Sequence, residues 1–61
     1  MKLYQVTGHD IFDGTQHTGV YLADDKKKAA ALSDHDAVLS GWVDDEIWWV
    51  IDEIEELMIV C

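Results

Sequence analysis

The chain contains no proline and no arginine, and only one cysteine, Cys61. A single thiol rules out an internal disulfide. The expected state of Cys61 is a free thiol, with a bridge between two chains as the other outcome. Without arginine, every positive side chain is one of four lysines. No run of residues is apolar and long enough to span a membrane, and the N-terminal stretch lacks the apolar core of a signal peptide. The expected location is therefore the cytoplasm. The four glycines, at positions 8, 14, 19 and 41, are too scattered for a phosphate-cradling loop. Ser33 and Ser40 lie in no nucleophile motif, and the adjacent acids have no cleft to hold a substrate between them. These features point away from an enzyme and away from a bound cofactor.

What the chain does have is acid. Its 61 residues carry 13 Asp and Glu, giving a net charge of −9. Residues 1–28 sum to zero, with Asp10, Asp13, Asp24 and Asp25 against Lys2, Lys26, Lys27 and Lys28. The whole net charge thus belongs to residues 29–61, which contain no lysine. Such a chain repels nucleic acid and anionic membranes and attracts basic protein surfaces. Hydrophobic residues make up 49% of the chain, a globular proportion and not that of a disordered acidic tail. The expectation is one domain, residues 1–61. A chain this short buries only about 60% of the surface it exposes when unfolded, so its stability is marginal.

The first 23 residues read as a β-hairpin. Leu3, Tyr4, Val6, Ile11, Phe12, Val20, Tyr21 and Leu22 favour strands, and Asp13-Gly14 is a strong two-residue turn signal. A tight turn there opposes Phe12 to Thr15, Gly8 to Gly19 and Val6 to Tyr21. Its core face would hold Tyr4, Val6, Phe12, Tyr21 and Ala23, thinned where the two glycines meet. The alternative is a bulge or a wider loop between His9 and Thr18. A helix is expected from Asp24, which can cap it, through the Ala29–Leu32 run. Ser33 and Asp36 resemble a weak capping box that would start a second short helix. Gly41 is a natural stop.

Residues 42–57 combine all three tryptophans with seven carboxylates. As a helix, Ile47, Val50, Ile51, Ile54, Leu57 and Met58 fall on one stripe. As a strand, residues 47–51 form a β-branched and aromatic run, and a bare hairpin needs a third strand. We assign an α+β fold: hairpin, helix, then a third antiparallel strand. The alternative is a C-terminal amphipathic helix over residues 44–58.

The candidate partner-binding residues are Asp44, Asp45, Glu46, Trp48, Trp49, Asp52, Glu53, Glu55 and Glu56, supported by Asp34 and Asp36. Charge runs often do no more than keep a protein soluble. Here the charge is uncompensated over half a small domain, which opposes compaction and suggests use. In a strand, carboxylates two positions apart are separated by about 6.6 Å. That is comparable to the step between backbone phosphates. Trp48 and Trp49 cannot both point inward from a strand, so one is expected outside as an apolar contact for a partner or a second copy. His9, Asp10, Asp13 and His17 could converge at the hairpin end to hold a divalent ion, although their spacing matches no named site.

In size, charge and its mixture of tryptophan and acid, the whole chain resembles the small acidic proteins of phages and mobile elements. Among these it resembles the anti-CRISPR proteins that occupy nucleic-acid-binding channels. No diagnostic motif accompanies the likeness, so it assigns no residue a role. It implies a DNA-mimicking inhibitor of a CRISPR effector subunit, working in the host cell cytoplasm. Two other readings stand beside it: a self-associating structural domain sealed by its tryptophans, and a metal-binding module at the hairpin end.

Overall fold

The structure is a computed structural model describing residues 1–60; the expectations for Cys61 lie outside the described residues. Strand β1 covers Lys2–Asp10 and β2 covers Gln16–Ala23. Helix α1 covers Lys26–Leu39, a single 3-10 turn covers Glu46–Trp48, and β3 covers Trp49–Ile59. The sheet order is β2-β1-β3, both pairings antiparallel, with β1 in the centre. This is the expected α+β arrangement. The helical alternative for residues 44–58 is wrong, because most of that segment is the third strand.

The hairpin register differs from the tight-turn expectation. Tyr4 faces Tyr21, Val6 faces Gly19 and Gly8 faces His17, and the ladder ends at His9–Gln16. Residues 11–15 form a wider loop. Asp10 organises it: its carboxylate accepts the Phe12 N–H at 2.8 Å, and its carbonyl accepts the Gly14 N–H at 2.8 Å. Asp13 accepts the Thr15 N–H at 2.8 Å, and Gly14 takes the left-handed φ of 75°. Local carboxylate bonds thus displace the two-residue turn. The two-residue shift preserves which residues share a face, so Tyr4, Val6, Tyr21 and Ala23 do form core. Phe12, expected among them, is carried into the loop and is 69% exposed.

Helix α1 starts one residue later than expected. Asp25, not Asp24, is the cap, and it accepts the Lys28 N–H at 2.8 Å. Asp24 instead lies 3.8 Å from the Lys28 ammonium. There is no break at Ser33. Its hydroxyl donates to the Ala30 carbonyl at 3.0 Å and so stays within the helix. Ala29, Ser33 and Ala37 are buried at four-residue intervals, so only small side chains separate helix from sheet. The helix ends in a Schellman motif: Trp42 N–H to Ala37 carbonyl at 2.9 Å, and Gly41 N–H to Val38 carbonyl at 3.1 Å. Gly41 supplies the required φ of 75°.

Two register shifts interrupt the β1–β3 ladder. Val6 faces Ile54 but Gly8 faces Ile51, and Tyr4 faces Glu56 but Lys2 faces Ile59. Asp52 and Leu57 are the extra residues, and each reverses the alternation of the strand. Ile51 and Ile54 therefore share the helix-facing side although they are three apart. This accounts for the three-residue step between Ile51 and Ile54; Val50 and Met58, also on the helix-like stripe, face the other side of the sheet.

The core has two parts. Tyr4, Val6, Ala23 and Ala29 form one, joined by Tyr21, Ile51 and Ile54. Ala37, Val43 and Trp49 form the other, with Val38, Trp42, Trp48 and Ile51 at its margin. The expected thin spot at the glycines is filled by aromatic rings. A Cβ on Gly8 would lie 2.6 Å from Trp49 Cζ2, and one on Gly19 would collide with the Tyr21 ring.

Candidate functional site

All seven acids of the candidate set are exposed. They flank one side of the molecule but point in several directions. Asp44, Asp45 and Glu46 lie in the connection leading to β3, where Asp45 caps the 3-10 turn through the Ile47 N–H at 3.4 Å. Asp52 sits in the first bulge and meets His9 Nδ1 at 2.9 Å. Glu53 and Glu55 face Thr7 and Gln5 on the sheet face away from the helix. Glu56 projects on the helix side, where Lys2 Nζ approaches to 3.2 Å. Hydrogen bonding and attraction from Glu56 push the Lys2 ammonium above its usual pKa. Glu53, Glu55 and Asp44 have no cation within 4.0 Å among the described residues.

The supporting acids divide by task. Asp34 stands near Glu46, and burial with that neighbouring charge raises its pKa above the ordinary carboxylate value. It belongs to the crowded acidic region. Asp36 is structural: it accepts from the Tyr21 hydroxyl at 2.7 Å and the Ser40 hydroxyl at 3.2 Å, tying α1 to β2. Burial, and then this carboxylate, push the Tyr21 phenol upward.

The tryptophans are used mostly within the fold. Trp49 is 5% exposed, and its indole N–H donates to the buried Ser33 hydroxyl at 3.2 Å. Trp49 is therefore corrected from partner contact to core. Trp42 stacks on His17, with centroids 4.8 Å apart and planes within 3°. Trp48 is half-buried and packs on Phe12 at 4.2 Å. Phe12 and Ile47 were not anticipated here. They are 69% and 70% exposed, and with Trp48 they put an apolar tip beside Asp44, Asp45 and Glu46. Nothing in the residue pattern signals this, because it depends on the wider hairpin loop.

The proposed ion-binding quartet does not assemble. His17 lies on the helix side against Trp42, whereas His9 occupies the other face with Asp52. Asp10 and Asp13 are engaged by loop amides. Among the described residues, no three His, Cys, Asp or Glu side chains gather closely enough to hold a metal. No helix of the described chain is long and apolar enough to cross a membrane. Compared with protein-family models, curated proteins and solved structures, the chain matches none.

Proposed function

We propose that the protein is an acidic binding protein that blocks a basic nucleic-acid-binding surface by occupying it. The observation that carries this reading is the placement of charge. Asp52, Glu53, Glu55 and Glu56 line an edge strand, and Asp44, Asp45 and Glu46 continue the series at its start. The body that carries them measures 37 × 16 × 16 Å, a shape suited to an elongated channel. Lysines and arginines that normally neutralise phosphates would meet carboxylates instead. The Phe12, Ile47 and Trp48 tip supplies an apolar anchor where the charge is densest. The mechanism is competition without turnover, with association accelerated by charge. The resemblance to anti-CRISPR proteins makes the DNA-binding subunit of a host defence complex the first partner to try.

The test is competition. DNA binding by a panel of nucleic-acid-binding complexes, CRISPR effectors included, is titrated with this protein at two salt concentrations. Inhibition of one member is expected, weakening by at least about tenfold between about 50 and 200 mM salt. The double substitution Glu53→Lys with Glu55→Lys should abolish it, since these two carboxylates have no neighbouring cation. Inhibition that survives both salt and charge reversal would refute the decoy reading.

A further inference from the structure

The sheet has two free edges, and they differ sharply in charge. β3 carries four acids and two bulges, which are devices that keep an edge from pairing with another strand. β2 carries none of them. Its sequence, Gln-His-Thr-Gly-Val-Tyr-Leu-Ala, holds no Asp, Glu, Lys or Arg, and its ladder to β1 is unbroken over eight pairs. Among the described residues, no loop, turn or cap hydrogen bond reaches β2, so its outer amides and carbonyls are unpaired within the chain.

We propose that β2 is a homodimer edge, pairing antiparallel with β2 of a second copy to give a continuous six-stranded sheet. Charge selects this occupant. β3 of another copy would bring its row of carboxylates, whereas β2 brings a neutral strand of the same pleat. The two-fold axis would pass near Gly19 and Val20. With Val20 at the axis, Val20 meets its own counterpart on the face away from the helix, flanked by Thr18 and Leu22. Val20 and Leu22 are exposed in the single chain. The two acidic β3 edges would then be five strand spacings apart, about 24 Å. That is well beyond the screening length of about 8 Å at physiological salt, so the charge of the two β3 edges scarcely opposes the pairing. Symmetric dimers through one self-complementary patch are the commonest small assemblies. The inference is independent of the decoy reading, since the acidic edges remain free at both ends.

Sedimentation equilibrium of the full chain at micromolar to submillimolar concentration, with amide hydrogen exchange on the same samples, tests the proposal. A mass approaching twice 6.9 kDa is expected, with protection of β2 amides rising with concentration. Val20→Lys, which places two ammonium groups at the axis, should return the mass to that of one chain while circular dichroism stays unchanged. Should that variant unfold, the exchange data still decide. A single-chain mass throughout, or a dimer whose β2 amides gain no protection, would overturn the proposal.

Discussion

At the scale of single residues, the fold depends on two glycines that lie beneath aromatic rings. Gly8 has a strand conformation open to any residue, yet it has no room for a methyl group. A Cβ there meets Trp49 Cζ2 and the Val50 carbonyl, both at 2.6 Å. Gly8→Ala should therefore cost about 2–3 kcal/mol through overpacking, read as a lowered thermal midpoint. Gly14→Ala is the matched control, with a φ of 75° and open space around the side chain. It should cost about 1 kcal/mol from backbone strain alone. An equal loss in both variants would show that the Trp49 ring and the β3 backbone at Val50 both give way freely, contrary to a packed core. Trp49 illustrates what residue identity does and does not disclose. Strand alternation implied that Trp48 and Trp49 could not both point inward, so that one of them would lie outside. Which one depended on the 3-10 turn at Glu46–Trp48, which sets the phase of the strand that follows.

At the scale of elements, β3 shows why legibility was uneven. The strand assignment rested on composition and on the need of a hairpin for a partner, and it agrees with the structure. The period pointed the other way partly because Asp52 inserts a residue and sets Ile51 and Ile54 three apart on one face; the rest of the apolar stripe, Val50 and Met58 included, lies on the other face and shares no side. Bulges leave no signature of their own in a single sequence, so the same spacing fits a helix. The hairpin register was lost for a related reason. Asp13-Gly14 is a genuine turn signal, but Asp10, three residues earlier, claims the loop amides first. Helix termination at Gly41 was readable because an αL position strongly favours glycine. The candidate site was legible as charge and illegible as shape: the acids were evident, but the apolar tip needed the loop. Deleting Asp52 tests the bulge account. The remaining residues would alternate regularly, with Ile51 and Ile54 still facing α1, so the chain should retain a cooperative unfolding transition by circular dichroism. Loss of folded structure in this deletion would mean that the bulge is required and not merely accommodated.

At the scale of the whole molecule, the balance of charge governs stability as well as recognition. Two lysine–carboxylate pairs, Lys2–Glu56 and Lys28–Asp24, are present among the described residues, and both are exposed enough for solvent to weaken them. The remaining carboxylates repel one another, at a net charge of −9. Added salt should therefore raise the thermal midpoint, because it screens more repulsion than attraction. Differential scanning calorimetry from low to moderate sodium chloride checks this, and a falling midpoint would place the local ion pairs above the long-range repulsion.

The central position of β1 also orders events in time. Its pairing with β2 closes a short loop, whereas its pairing with β3 must bring together residues some forty or more positions apart, up to Lys2 with Ile59. Local contacts form sooner than distant ones, so the hairpin gains its third strand late. Until then the middle strand has a bare side that is neutral over Leu3–Gly8, open to any passing extended chain. The strand that finally seals it is the one most heavily charged. Once β3 is in place, the neutral side of β1 is covered and the edge left open in its stead carries carboxylates, so the step that completes the sheet also replaces a surface that would accept a further strand with one that repels another β3.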